Sequence, residues 1–229
     1  MSPLETNLQV WIAKLGGHTL KTEKDTIPLL SPSEKRHLSV IKSPYKKREF
    51  LLSRALMRNA LSQLFDRPRA EWDFIYNPDA GPIISNCPKP IFTSLSHSNG
   101  LIIFVTSHFP VGVDVELVKE KKNLIALADI FMSGQEIHTL KSHNAKQQLT
   151  GFYRIWCAKE SYYKALPSEQ KPLKFNLISI LDILDNHKAW SLIEDRIDEF
   201  IFSIVVKNKP VKLTISHHRF FLEENTPPI

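Results

Sequence analysis

Apolar positions recur along the chain with two periods, and each period predicts a different kind of element. Apolar and polar residues alternate over residues 8–13, which predicts an opening strand. Over residues 45–65 the apolar positions follow helical spacing, so we expect a long helix that ends at Asp66-Arg67-Pro68. The polar face of this helix carries the basic residues Lys46, Lys47, Arg54 and Arg58.

A proline-rich stretch at residues 77–90 follows the long helix and predicts loops and turns. The three β-rich runs that come next, at residues 91–95, 101–106 and 111–115, predict a meander. The segment 96–100, with the sequence Ser-His-Ser-Asn-Gly, joins the first two runs, so we expect it to form a turn between two strands.

Helix and strand signals also alternate in the second half. Ser133 and Glu136 have the spacing of a capping box and predict a helix start. Helical spacing predicts a further helix at residues 150–166, and β-like runs follow at residues 201–206 and 211–215.

The pattern as a whole predicts the fold class and a division of the chain. Both halves mix helices with short strands, which is typical of an α+β fold. We expect an N-terminal subdomain at residues 1–110, a C-terminal subdomain at residues 111–218 and a C-terminal tail at residues 219–229.

Composition narrows the class of partner. The chain of 229 residues has a net charge of +6, which favours anionic partners such as phosphorylated ligands, acidic proteins, nucleic acid or acidic membranes. Its two cysteines do not make a disulfide scaffold. We see neither a signal peptide nor the roughly 20 apolar residues of a membrane span, so we expect a cytoplasmic protein that does not enter a membrane.

Asp114 and Glu116 are the first candidate for chemistry. They lie two residues apart in a β-like run, so both side chains point to the same face of the strand. Adjacent carboxylates repel each other unless a cation or a proton intervenes. Mg²⁺ takes oxygen ligands and keeps room for substrate phosphates, which makes the pair a candidate metal site. An exposed polar strand face is the alternative.

Two further groups have a functional and a structural interpretation. Glu160 and Lys164 are four residues apart on the predicted helix and share one face. They could supply a third metal carboxylate with an ammonium beside it, or a routine surface ion pair. His97, between Ser96 and Ser98, could donate a hydrogen bond to a phosphate or could be an ordinary loop histidine.

The order and spacing of these motifs are more specific than any one of them. Ser-x-Ser-His-Ser at residues 94–98, Gly-Val-Asp-Val-Glu at 112–116 and Trp-x-x-Lys-Glu-Ser-x-x-Lys at 156–164 follow one another. Together they resemble the Sfp-type 4′-phosphopantetheinyl transferases, over about residues 31–166. The helix motif with Lys-Glu-Ser-x-x-Lys is the sharpest element.

The resemblance implies a fold, a reaction and a set of site residues. Family members fold as two similar α/β halves that form a pseudo-dimer within one chain, which makes a monomer the expectation here. Coenzyme A binds in the cleft, and its phosphopantetheine group is transferred to a serine of an acidic acyl or peptidyl carrier protein. The implied Mg²⁺ ligands are Asp114, Glu116 and Glu160. The implied coenzyme A contacts are Arg48, Arg54, Ser96, His97, Lys159 and Lys164.

The resemblance also implies catalytic roles. Glu160 is the expected base that accepts the serine proton, with Glu116 second, and Lys164 is expected to assist departure of the leaving group. One position departs from the family pattern. The family has Gly-[Lys/Arg]-Pro before the histidine motif, whereas this chain has Ala80-Gly81-Pro82 and lacks that charge.

Three other interpretations remain open at this point. Loss of the charge at residue 81 could mark a coenzyme A-binding paralogue with altered activity. The net positive charge could belong to a nucleic-acid-binding protein, although the predicted strands carry aliphatic rather than aromatic side chains. A metal-dependent phosphatase or nuclease would require further Asp or His ligands for a second metal, and the sequence shows no such set.

Overall fold

The structure, a computed structural model, describes residues 6–15, 24–77, 81–180, 189–207 and 213–220. It confirms the α+β class. The α-helices that lie wholly within the described part are α1 (Pro32–Val40), α2 (Pro44–Phe65), α3 (Leu124–Phe131), α4 (Gly134–Lys141) and α5 (Ala145–Ala165). The strands are β1 (Thr6–Lys14), β2 (Phe74–Ile75), β3 (Ile83–Ile84), β4 (Phe92–Ser98), β5 (Leu101–Ser107), β6 (Val111–Leu117), β7 (Ser191–Ile197), β8 (Phe200–Val206) and β9 (Leu213–Phe220).

Two sheets form the centre of the molecule. The first has the strand order β4-β5-β1-β9, and the second has the order β6-β8-β7. Neighbouring strands are antiparallel except β1 and β9, which are parallel. The last described strand therefore returns to the sheet in which the chain begins. Residues 219 and 220 end β9, whereas the rest of the expected tail, residues 221–229, lies outside the described residues.

The sheets pack face to face between layers of helix. Alternate residues of β1, β5, β6 and β8, among them Val10, Ile103, Val113 and Phe202, form one buried cluster between the two sheets. The opposite face of the first sheet packs against α2. A further buried cluster joins α3, α4 and α5 to β8. The layers thus follow the order helix, sheet, sheet, helix, and the division at residue 110 remains a prediction.

Side-chain caps set several helix starts. The predicted capping box of Ser133 and Glu136 is confirmed at the start of α4. Asn144 and Gln147 form another, so α5 begins at Ala145, five residues before the predicted start at residue 150. The predicted helix at residues 45–65 is confirmed as α2. Among the described residues, no helix combines the length and apolar character that a membrane crossing requires.

The predicted turn at residues 96–100 is wrong in its extent. Strand β4 continues through Ser98, and only Asn99 and Gly100 form the turn to β5. Their φ angles are 46° and 83°, the left-handed values that a tight two-residue hairpin turn requires. His97 and its neighbouring serines therefore lie on a strand and not in a loop.

Candidate active site

Alternate serines of β4 join the two sheets. The hydroxyl groups of Ser94, Ser96 and Ser98, here called the serine seam, accept hydrogen bonds from backbone amides of β6. The donors are Val113 to Ser94 at 3.1 Å, Val115 to Ser96 at 3.3 Å and Leu117 to Ser98 at 3.4 Å. The seam places β4 beside β6 through side chains, since no backbone ladder connects these two strands in the described part of the sheets.

The same serines hold the two acidic residues of β6. Ser96 Oγ donates to Asp114 Oδ1 at 2.8 Å, and Ser98 Oγ donates to Glu116 Oε2 at 3.0 Å. The other Glu116 oxygen accepts from Trp156 Nε1 at 3.3 Å. Asp114 and Glu116 thus share one face of the strand, as predicted from their spacing, and their orientation is fixed from both halves of the chain.

Helix α5 adds Glu160 and Lys164 to the two acids. Lys164 Nζ donates to Asp114 Oδ1 at 2.7 Å and to the Val113 carbonyl at 3.2 Å. Burial raises the pKa of Glu160; Lys164 opposes this shift, and the charges of Asp114 and Glu116 add to it. A carboxylate with a raised pKa accepts a proton more readily than an ordinary one.

Gly112 determines how closely α5 approaches β6. A Cβ placed on Gly112 would overlap the carbonyl oxygen of Ser161 and lie 2.8 Å from the amide nitrogen of Ala165. Helix backbone therefore packs directly on strand backbone at this point. This contact brings the face of α5 that bears Glu160 and Lys164 against the acids of β6.

A cavity of about 680 Å³ opens beside these groups and is lined by both halves of the chain. Its N-terminal side includes His37, Lys46, Glu49, Arg54 and His97. Its C-terminal side includes Glu160, Tyr163, Lys164 and Lys171. Several basic groups thus face one space, an arrangement that favours an anionic ligand.

Glu49 anchors the basic groups on the N-terminal side of the cavity. Its buried carboxylate accepts from Lys46 Nζ at 2.6 Å and from the Gly100 amide at 3.1 Å, and Nδ1 of His97 lies 3.2 Å away. Burial alone would raise the pKa of Glu49, but the hydrogen bonds from His97 and Lys46 outweigh it and lower the pKa to about 2.

Acid titration of Glu49 is expected to destabilise the fold. Because its pKa falls from 4.5 to about 2, its contribution is fully present above about pH 4.5 and is lost as the pH falls toward 2. The full shift corresponds to about 3 kcal/mol. Urea unfolding followed by circular dichroism between about pH 5 and about pH 3 should show a weaker pH dependence for Glu49→Gln than for the unaltered protein.

Asp129→Asn is the control for this measurement, because Asp129 is exposed on α3. It should keep the pH dependence of the unaltered protein. An unchanged pH dependence in Glu49→Gln would contradict the assignment.

The two arginines predicted to bind coenzyme A occupy different places. Arg54 lines the cavity but is buried, with Nε 2.8 Å from Glu34 Oε1 and the guanidinium 4.4 Å from the centre of the Phe50 ring. Burial lowers the pKa of Arg54 to about 10, against the opposing charge of Glu34. Arg48 is exposed on the same helix and is not among the residues that line the cavity.

Lys159 is fully buried, although we predicted that it binds coenzyme A. Its Nζ lies 2.7 Å from Glu136 Oε2 and donates to three carbonyl oxygens. These belong to Phe131 at 2.8 Å, Phe175 at 3.2 Å and Ile178 at 2.6 Å. This geometry supports a structural role for Lys159 and gives no support to a ligand contact, because the ammonium has no donor left for a phosphate.

The acids fit a divalent cation by the chemistry of their donors. Oδ2 of Asp114 is buried and accepts no hydrogen bond from the described residues, and a buried orphan oxygen of this kind suits a cation. Oxygen ligands from Asp114, Glu116 and Glu160 are the type that Mg²⁺ prefers. In the described part of the chain, no three or more acidic, histidine or cysteine side chains are already gathered into a metal site.

Sequence reasoning missed several residues of this site. Glu49 and Lys171 stand outside every motif, and their role appears only when distant segments meet at the cavity. His37 and Tyr76 were missed for the same reason. Their rings stack on the cavity wall with centres 3.8 Å apart. The serine seam did leave a signal, because Ser94, Ser96 and Ser98 alternate as side chains on one face of a strand do.

Comparison with known proteins defines the class. The sequence model of the 4′-phosphopantetheinyl transferase superfamily matches residues 110–216, which include β6 and α5 with their acids. This region of the chain is therefore similar to the 4′-phosphopantetheinyl transferase superfamily.

Individual relatives carry the same description. The 4′-phosphopantetheinyl transferase HetI of Nostoc sp. is 26% identical over 178 residues, 75% of each chain. Ffp of Bacillus subtilis is 32% identical over 114 residues, 50% of each chain. The relative psf-1 of Bacillus pumilus is 29% identical over 117 residues, 51% of this chain and 49% of its own. The chain thus spans about half the length of the two Bacillus relatives.

Proposed function

We propose that this protein transfers the 4′-phosphopantetheine group of coenzyme A to a serine of an apo carrier protein, and that it releases 3′,5′-ADP. The observation that carries the proposal is the contact of Lys164 with Asp114, together with the position of Lys164 and Glu160 on the wall of a cavity rich in basic groups. Carboxylates oppose phosphate binding unless a cation neutralises them. A site with both kinds of charge therefore suits a phosphate substrate that arrives with a metal.

The reaction assigns one role to each of these groups. The serine oxygen of the carrier attacks the β-phosphorus of coenzyme A, and the bond from this phosphorus to the bridging oxygen breaks. Glu160 accepts the serine proton, directly or through water, because it lies on the cavity wall, with Glu116 as the second choice. Lys164 faces the same space and stabilises the negative charge that develops on the leaving 3′,5′-ADP.

Mg²⁺ would be held by Asp114, Glu116 and Glu160. When bound, it supplies positive charge that neutralises the pyrophosphate. The protein's own contribution is to position the acids, through Ser96 and Ser98, before the ligand arrives.

The partners follow from charge and from the family. A net charge of +6 suits an acidic acyl or peptidyl carrier protein, because opposite charge steers the encounter. Both sides of the cavity come from one chain, which is consistent with a monomer. The cytoplasm is the proposed location. His97, Ser96 and Arg54 are the proposed contacts on the N-terminal side, and Arg48 is a further candidate from the family pattern alone.

The intact mass of an apo acyl carrier protein tests the proposal directly. After incubation with this protein, coenzyme A and Mg²⁺, the carrier should gain the mass of about one phosphopantetheine group, and a chelator should abolish the gain. Coenzyme A should also raise the melting temperature when Mg²⁺ is present, because a ligand stabilises the state that it binds. If several apo carriers stayed unmodified while coenzyme A still stabilised the protein, the transferase activity would be rejected and coenzyme A binding retained.

A further inference from the structure

Lys171 lies on the cavity wall in a segment that belongs to none of the sequence motifs. This segment, residues 166–180, follows the end of α5 and carries Lys171 to the C-terminal side of the cavity. The Lys171 ammonium lies 4.7 Å from the centre of the Tyr163 ring, another lining residue. A cation over an aromatic face is attracted to it, so the ring helps to hold the ammonium in place.

Buried Lys159 fixes the segment that carries Lys171. Its ammonium donates to the carbonyl oxygens of Phe175 and Ile178, both in this segment. The Phe175 ring also packs between Trp156 and Tyr163 of α5, with ring centres 5.8 and 5.0 Å apart. The segment is thus held against α5 by the hydrogen bonds of Lys159 and by the packing of the Phe175 ring. These contacts restrict the movement of Lys171.

The other lysine and arginine groups of the cavity already have carboxylate partners. Lys46 pairs with Glu49 at 2.6 Å, Arg54 with Glu34 at 2.8 Å and Lys164 with Asp114 at 2.7 Å. Lys171 forms no such ion pair with any described residue. Its charge nevertheless reaches into the site, since it opposes the upward shift of the Glu160 pKa. Among the lysine and arginine residues of the described cavity wall, Lys171 can therefore pair with an incoming anion without breaking an existing ion pair.

The family pattern that the sequence resembles has a basic residue at the position of Gly81. Gly81 lines the same cavity as Lys171, has a φ of 75° and has no side chain to offer. Lys89 is the basic residue nearest to Gly81 in sequence, but it is exposed and is not among the residues that line the cavity. The positive charge that the family pattern has at position 81 can thus come here from Lys171, which lines the same cavity.

We propose that Lys171 binds a phosphate group of coenzyme A and supplies the charge that Gly81 lacks. This inference rests on the proposed function, because it names a contact within the same binding site. Lys159, through the segment that it anchors, is a positioning residue for this contact.

Isothermal titration with coenzyme A tests the contact. Lys171→Met keeps the length of the side chain but removes the charge, and we expect it to raise the Kd by about tenfold or more. The Kd of this variant should also depend less on salt, since one screened charge pair is gone. Lys174→Met is the matched control: Lys174 is exposed in the same segment and is not a lining residue, so its Kd should stay that of the unaltered protein.

A second variant tests whether the two positions are equivalent. A Cβ on Gly81 meets no atom of the described residues within 4 Å, so Gly81→Lys has room there, although the φ of 75° strains any side chain at this position. Combined with Lys171→Met, it should recover most of the lost affinity. Failure to recover, in a double variant whose stability to urea equals that of Lys171→Met alone, would overturn the idea that Lys171 stands in for residue 81.

The outcomes separate this inference from the proposed function. If the unaltered protein binds coenzyme A and Lys171→Met binds it equally well, the phosphate contact is wrong and the proposed function stands. If the unaltered protein shows no binding with Mg²⁺ present, the proposed function fails and the inference fails with it.

Discussion

Glutamine in place of Glu160 should slow modification of a carrier protein by about a thousandfold, within the range that loss of a general base produces. Glu160 is the acid that α5 contributes to the site, and its raised pKa comes from burial and from the charges of Asp114 and Glu116. Glutamine keeps the shape of the side chain but cannot accept the serine proton. The change also removes one proposed ligand of Mg²⁺, so both effects act in the same direction.

The rate is measured from the intact mass of the carrier over time, with circular dichroism as the check on folding. Glu169→Gln is the control, since Glu169 is exposed just beyond the same helix, and it should retain the unaltered rate. Glu160→Gln should remain folded, because glutamine avoids the cost of a buried charge. An unaltered rate in a folded Glu160→Gln protein would exclude Glu160 as the base.

Alanine in place of Gly112 is expected to lower the free energy of unfolding by about 3 kcal/mol or to prevent folding. The added methyl group would overlap backbone atoms of Ser161, and backbone in a packed helix and a central strand has little room to move. Relief would require α5 to move away from β6. That movement would also separate Lys164 from Asp114, so coenzyme A-dependent activity should fall with stability.

Urea unfolding measures the loss, and Gly134→Ala is its control. Gly134 begins α4, and a Cβ there meets no atom of the described residues within 4 Å. Alanine also has a higher helix propensity than glycine, so this control should be at least as stable as the unaltered protein. Equal stability of Gly112→Ala and the unaltered protein would contradict the close contact between α5 and β6.

The sequence predicted those parts of the fold and site that depend on local pattern. The long helix α2 follows from its apolar spacing, and the shared face of Asp114 and Glu116 follows from the alternation of a strand. The sequence motifs grouped the Lys164 ammonium with the candidate metal carboxylates, and Lys164 does contact Asp114. The binding and catalytic roles of both residues remain predictions.

Long-range contacts account for what the sequence did not predict. Strand β9 pairs with β1 across most of the chain, and no local pattern identifies a partner at that distance. Lys159 stands next to Glu160 in the motif but points into the core, because adjacent helix positions lie on different faces. Its partner Glu136 comes from a separate helix, and only the folded chain brings them together.

The serine seam also determines where this chain can change in length. Each serine of β4 meets its own amide of β6, and two of them meet the acids as well, at the same two-residue interval. One residue inserted within β4 would turn Leu95 and His97 toward β6 and leave Asp114 without its serine donor. An insertion between Asn99 and Gly100 would keep the register of β4, but it would displace the buried Gly100, whose amide donates to Glu49. Viable insertions and deletions should therefore fall outside residues 92–100, and a reporter or a fused domain should be attached elsewhere in the chain.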